Sequence, residues 1–168
     1  AFCYIAEKVI KEDFPYILVK DMRNVISDIG SLFYDEIWND KLQMIGITGT
    51  KGKSTTATFV KAIMDEYCAS IGEKPIGFLS GIYTYDGENK VKAKKMTTPE
   101  TLQLHSHLAK CVENKLKFLV METSSQALKY DRTKALKYKV CGFLNVSEDH
   151  ISDREHPDFE DYFQSKLR

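Results

Sequence analysis

No two cysteines in this chain stand close enough to form a C-x-x-C unit. Cys3, Cys68, Cys111 and Cys141 are scattered, which excludes a zinc ribbon and a redox dithiol. All but Cys3 lie in or beside apolar patterns, where a free thiol is expected to pack as a small buried hydrophobe. A reducing cytoplasm is the expected compartment. Neither sign of charge prevails: 24 Lys and Arg face 24 Asp and Glu, so no net basic field invites nucleic acid. The densest basic cluster, Lys90-Val91-Lys92-Ala93-Lys94-Lys95, reads as a solvated hairpin arm. No apolar run approaches the roughly 20 residues of a membrane span, and no signal-peptide pattern is visible. Repeats and low-complexity segments are also lacking. What the chain does have is 43% hydrophobic and 29% charged residues over a length of 168. That composition suits one domain with a buried core, with room for a fragment of another.

The strongest signal is Gly46-Ile47-Thr48-Gly49-Thr50-Lys51-Gly52-Lys53-Ser54, which fits the phosphate-cradling pattern G-x-x-x-x-G-K-[ST]. A short apolar run, Leu42 to Thr48, precedes it. A helical pattern follows from Ser54 to Tyr67, with Phe59, Val60, Ile63, Met64 and Tyr67 assigned to one face. Strand, glycine loop and helix is the order that chemistry needs. Glycines let the backbone close around an anion, and the N–H groups opening the helix point at it. Lys53 would reach the β/γ-phosphates and Ser54 would offer its hydroxyl to Mg²⁺. The plain alternative is a Gly/Thr-rich turn matching by chance, which the flanking elements argue against. ATP or GTP is the expected ligand.

Ahead of this loop the pattern gives a strand (Phe2 to Ala6), a short helix, a strand (Tyr16 to Val19) and a helix from Met22 to Ile37. The stripe of that helix is Val25, Ile26, Ile29, Leu32, Phe33 and Ile37. This βαβα fragment meets a domain boundary near Trp38 to Lys41. Beyond the loop helix, Pro75 to Tyr85 is strand-like, and Asp86-Gly87 marks a hairpin with the lysine-rich arm. Thr98 is expected to cap the next helix, with Pro99 at its first position. Leu102, Leu108, Ala109 and Val112 mark its buried stripe. Phe118 to Thr123 and Val140 to Val146 are continuous apolar runs, as parallel strands covered on both faces would be. The closing segment, from Asp158, reads as helix. The fold class expected is α/β: a phosphate-loop-containing, mostly parallel, doubly wound sheet with helices on both faces. The first residue lies within a strand-like run and Arg168 within a helical one, so both ends read as cut from a longer protein.

Further polar residues sit where apolar strands end, the edge at which open α/β sheets bind ligands. Glu122 closes one such strand and could hold a metal or its water opposite the phosphate loop. A strand ending in Glu is common, so this signal is weak by itself. Thr123-Ser124-Ser125-Gln126 follows it. His150 lies beyond the next strand and could ligate a metal through neutral imidazole; an ordinary surface histidine is the competing reading. His105 and His107, two apart on a helix, face different sides. His156, before Pro157, reads as a loop residue.

Taken in order, GITGTKGKSTT, MTTPETL, VMETSSQAL, FLNVSEDH and DYFQSK resemble the Mur ligases, the ATP-dependent amide-forming enzymes of peptidoglycan assembly. The similarity covers nearly the whole chain. It is greatest to the branch that extends UDP-MurNAc-L-Ala-D-Glu to the tripeptide, and VKDMRNVISDIGSLFYDEI resembles the end of that branch's N-terminal domain. The resemblance implies that residues 1–40 close the UDP-substrate domain and that 41–168 begin the central ATP-binding domain. The later amino-acid-binding domain would be absent. Gly49, Thr50, Lys51, Gly52, Lys53, Ser54 and Thr55 would bind ATP. Ser54 and Glu122 would hold one Mg²⁺, with His150 helping to hold a second. Thr97, Thr98, Ser124 and Arg132 would contact the UDP-MurNAc-dipeptide. Lys166 aligns with a lysine carbamylated by CO₂, a change that turns a cation into an anionic metal ligand; read alone, it is a solvated helix residue. Four positions depart from the pattern: Lys51 for Asn, Ser54 for Thr, Gln126 for His and Tyr130 for Gln.

The implied chemistry joins a carboxylate to an incoming amino acid through an acyl phosphate, with Lys53, Glu122, His150 and Lys166 catalytic. The expected partners are small molecules, the UDP-MurNAc-dipeptide and an amino acid, and the expected state is a monomer with no nucleic-acid or membrane partner. A folylpolyglutamate synthase or a poly-γ-glutamate ligase is the nearest alternative, and a non-catalytic nucleotide-binding module a more distant one. A GTPase would need N-K-x-D, whereas Asn114-Lys115-Leu116-Lys117 lacks the Asp.

Overall fold

The structure, a computed structural model, describes residues 2–93, 96–149, 151–152 and 155–168. A small parallel pair, β1 (Tyr4–Ala6) and β2 (Tyr16–Leu18), leads the chain. Turns and bends join the pair, where the sequence suggested a short helix. Helix α1 (Met22–Phe33) then opens on Asp21, whose carboxylate accepts from the N–H groups of Arg23 and Asn24.

The single helix expected to Ile37 is two. Asp35 and Glu36 adopt φ of 52° and 49°, left-handed values that end a right-handed helix. Helix α2 (Ile37–Lys41) restarts beyond them. The expected apolar stripe of α1 is also displaced. Leu32 and Phe33 are exposed, and the residues buried are Ser27, Gly30 and Ser31. Small side chains there allow close approach to helix α4 (Thr101–Glu113). A Cβ on Gly30 would stand 2.5 Å from Nδ1 of His105.

The main sheet has six strands in the order β6-β5-β4-β7-β3-β8. They are β3 (Gln43–Thr48), β4 (Gly77–Leu79), β5 (Tyr83–Tyr85), β6 (Lys90–Lys92), β7 (Phe118–Glu122) and β8 (Tyr138–Phe143). Strands β4, β7, β3 and β8 run parallel, and β5 and β6 add an antiparallel hairpin at one edge. The expected hairpin is present, its loop closed by Asp86, which accepts from the N–H groups of Glu88 and Asn89. The single strand expected from Pro75 to Tyr85 is broken at Ser80–Ile82 and folds back as β4 and β5.

Side-chain alternation divides the core. Leu119 and Met121 of β7 join Trp38, Leu104 and Leu108 under α2 and α4. Val120 joins Ile47, Phe78 and Ala57 on the opposite face, under α3 (Lys53–Ser70). Period-two alternation on a strand buried on both faces produces this arrangement. Strand β8 departs from expectation, because at the sheet edge, among the described residues, it pairs only with β3. Val140 and Cys141 are therefore exposed, while Cys68 and Cys111 are buried as expected. On α3 the inward line is Ala57, Val60, Met64 and Cys68. Phe59, Ile63 and Tyr67, assigned to the same stripe in the sequence, lie on an exposed face. Helices α5 (Ser125–Lys129) and α6 (Phe159–Leu167) pack together beyond the C-terminal ends of the parallel strands. Among the described residues no helix is long and apolar enough to cross a membrane.

Candidate active site at the strand tips

The loop between β3 and α3 is held open by its glycines and by a neighbouring turn. Gly49 and Gly52 adopt φ of 150° and 83°, and a Cβ on Gly49 would meet Leu144 Cβ at 3.1 Å. The Asn145 side chain accepts from the Lys51 N–H at 3.0 Å and donates to the Lys51 carbonyl at 3.1 Å. The Thr50 hydroxyl accepts from the Ser147 N–H at 3.0 Å and lies 3.0 Å from the Tyr162 hydroxyl. Sequence reasoning assigned Asn145, Ser147 and Tyr162 no role in shaping the loop.

Lys53 begins α3 and turns its ammonium back onto the carbonyls of Gly49 and Thr50, at 2.8 and 3.1 Å. Burial lowers its pKa, opposed by the nearby carboxylate of Glu122. Ser54, next along the helix, donates its hydroxyl to Oε2 of Glu122 at 2.9 Å. The other carboxylate oxygen of Glu122, only 1% exposed, accepts from the Gly81 N–H at 3.1 Å. A buried carboxylate and a hydroxyl thus share one point at the base of the loop. Lys51 is exposed and pairs with Asp149 at 2.7 Å, which raises its pKa. Thr55 is exposed on the first turn of α3.

A cleft of about 240 Å³ lies beside the loop. Its lining includes Lys53, Thr97, Thr98, Ser124, Arg132 and Lys166, six of the residues singled out in the sequence. Thr98 does not cap α4, which opens two residues later than expected with Glu100 at the cap position. Its hydroxyl instead donates to the Glu122 carbonyl and accepts from the Ser124 N–H, both at 3.0 Å. That competing bond to β7 draws the Thr-Pro turn onto the strand tip. The Ser124 hydroxyl accepts from the Ala127 N–H and caps α5. Arg132 pairs with Glu100 at 2.8 Å.

Lys166 is 5% exposed on α6, with its ammonium 3.1 Å from the Gly49 carbonyl. Burial, and then the charge of Lys53, bring its pKa down to about 8. It is not the solvated helix residue that sequence alone suggested. His150 lies outside the described residues. His156, read as a loop residue, is fully buried and bridges Ser125 and Asp161; no local signal distinguishes it. His105 and His107 do face different sides, one against Trp38 and the other toward the β5–β6 hairpin.

The donor chemistry at Ser54 and Glu122 fits a hard cation that takes oxygen ligands. Among the described residues no group of three or more His, Cys, Asp or Glu side chains could hold a metal alone. A carboxylate, a hydroxyl and phosphate oxygens are a usual ligand set for Mg²⁺, which keeps much of its water.

Fold and site together define an α/β protein with a glycine-rich loop between β3 and α3 and a cleft at the C-terminal ends of parallel strands, where open α/β sheets bind ligands. The sequence profile of the Mur ligase middle domain matches residues 47–168, and the chain belongs to that family. Over 163 residues it is 42% identical to the UDP-N-acetylmuramyl-tripeptide synthetase of Lactococcus lactis subsp. cremoris (strain MG1363), covering 97% of this chain and 33% of that protein. It is 41% identical to the UDP-N-acetylmuramoyl-L-alanyl-D-glutamate--L-lysine ligase of Streptococcus pyogenes serotype M28 (strain MGAS6180), covering 97% and 32%. The fold resembles that of a UDP-N-acetylmuramoyl-L-alanyl-D-glutamate--2,6-diaminopimelate ligase with a TM-score of 0.74 at 21% identity, covering 96% of this chain and 31% of that one. The chain therefore spans about a third of the length of these relatives.

Proposed function

We propose that this chain is the nucleotide-binding part of an ATP-dependent carboxylate–amine ligase of peptidoglycan precursor synthesis, acting on UDP-MurNAc-L-Ala-D-Glu. One observation carries the reading: Lys53, Ser124, Arg132 and Lys166 line a single cleft, with the Ser54–Glu122 pair beside it. Residues 1–40 would close a UDP-substrate domain and 41–168 would begin the central domain, with the amine-binding domain contributed by further chain. A cytoplasmic enzyme working as a monomer accords with soluble small-molecule substrates.

In this reading the acceptor carboxylate attacks the γ-phosphorus of ATP, giving an acyl phosphate and ADP. The amine then attacks the acyl carbon, phosphate leaves, and an amide forms. Backbone N–H groups from Gly49 to Ser54 orient the phosphates, with the side chain of Thr55 beside them. Lys53 exchanges its carbonyl partners for phosphate oxygens and neutralises the charge that grows on them. Arg132 and the hydroxyls of Thr97, Thr98 and Ser124 position the acceptor; Arg132 exchanges Glu100 for an acceptor carboxylate, which its planar fork fits. Mg²⁺ held by Ser54 and Glu122, and a second ion held by His150 and carbamylated Lys166, would supply Lewis-acid stabilisation of the phosphoryl oxygens. A pKa of about 8 supports the carbamate assignment: a sizeable neutral fraction of this amine can attack CO₂, and the anion formed would face Lys53.

The test is turnover by the full-length protein. With ATP, UDP-MurNAc-L-Ala-D-Glu and lysine or diaminopimelate, ADP and a tripeptide product should appear. Release of ADP with a folate or a poly-γ-glutamate acceptor, and none with the muropeptide, would reject the proposal in favour of those ligases.

A further inference from the structure

The hydrogen-bonded series Lys129–Asp161–His156–Ser125, buried at His156 and Ser125 and partly exposed at Lys129 and Asp161, has no part in the chemistry described above. His156 is 0% exposed. Its Nδ1 lies 2.6 Å from Asp161 Oδ2, and its Nε2 lies 2.9 Å from the Ser125 hydroxyl. An ionised carboxylate only accepts, so Nδ1 carries the hydrogen, and in the neutral ring Nε2 accepts from Ser125. Lys129 donates to the same Asp161 oxygen at 2.6 Å and, against burial, holds that carboxyl below its ordinary range. Each group in the chain has a partner, and the imidazole is fixed at both nitrogens.

The chain joins two elements of the cleft. Ser125 opens α5 beside Ser124, at the tip of β7. Asp161 lies on α6, on the turn before Lys166. His156 also packs edge-on against Tyr162, with ring centroids 5.2 Å apart. The Tyr162 hydroxyl meets Thr50 in the phosphate loop, and its ring lies 4.6 Å from the Lys166 ammonium. One imidazole thus touches the anchors of the acceptor side and of the phosphate side.

We propose that His156 is a positioning residue: it ties α6 to the turn after β7, and so sets where Lys166 and Tyr162 stand against the phosphate loop. The consequence for turnover rests on the ligase reading, whereas the placement of Lys166 does not. Two variants test it in the full-length protein. Ser125→Ala removes one hydroxyl and no volume of consequence; His156→Gln keeps a polar side chain but cannot reach both partners in the same geometry.

Trace acetylation of Lys166, followed by mass spectrometry in CO₂-depleted buffer, reports its exposure without any assumption about activity. Both variants should label several-fold faster than the parent protein. Their kcat should fall about tenfold or more, as for other residues that orient a reacting group indirectly, with KM for ATP within about threefold. A lowered melting temperature with labelling and kcat at parental values would show a purely structural role and overturn the proposal. If the parent protein turns over no muropeptide, the ligase reading falls, and the labelling rates alone decide the positioning.

Discussion

Lys53 and Glu122 show how a residue's neighbours decide its use. Lys53 is folded back onto two backbone carbonyls, and in the proposed reading it exchanges them for phosphate oxygens at small reorganisation cost. Replacing Lys53 by Ala in the full-length protein should lower kcat by about 10²–10³-fold or more, the scale of losing one preorganised charge stabiliser. Circular dichroism should stay unchanged; parental turnover would refute the role. Glu122→Gln keeps the shape but removes the charge that a cation needs. The Mg²⁺ concentration giving half-maximal rate should rise about tenfold or more, and a Mg²⁺ titration that superimposes on the parent's would exclude Glu122 as a ligand. The place of Lys53, at the end of the glycine loop and the start of α3, was legible from its motif. The depth of Lys166 was not, because burial of an ammonium depends on where a distant helix docks.

Among the elements, α4 carries two histidines whose burial makes stability depend on pH. Burial lowers the His105 pKa, and brings that of His107 from 6.5 to about 4. Between those values the unfolded chain binds the proton that the folded chain refuses, so stability rises with pH across that window. The contribution is complete above about pH 6.5 and is lost as pH falls toward 4; for His107 it is on the order of 3 kcal/mol. Urea midpoints at pH 7 and 4.5 measure it, with His107→Gln separating it from carboxylate titration. An equal pH slope in that variant would contradict the assignment. The packing of α1 gives a second expectation. Gly30→Ala would press a methyl group onto His105 and Leu102 and should cost about 1–3 kcal/mol, read as a lowered urea midpoint.

For the whole molecule, the relation of α2 to the sheet matters most. Trp38 is fully buried in the same core as Leu104, Leu119 and Met121, so the residues just before position 41 are packed with the sheet that follows. The cleft holds groups suited to phosphate and to a carboxylate acceptor, while the chain spans about a third of its relatives. The 168-residue chain by itself should bind nucleotide or phosphate weakly and form no amide. Mass spectrometry of a reaction with all three substrates checks this, and a tripeptide product from the isolated chain would contradict it.

Local chemistry was enough to determine the strand, glycine loop and helix around Lys53 and Ser54, the hairpin at Asp86-Gly87, and the acid at the tip of β7. Each depends on spacing along a few neighbouring residues, where steric and hydrogen-bonding preferences act directly. Tertiary structure decided the rest. It placed β8 at an edge, turned Phe59 and Ile63 outward, moved Thr98 from a helix cap to a strand tip, and buried His156 between α5 and α6. Those outcomes depend on which surface each element meets, and contacts between residues far apart in the chain settle that question.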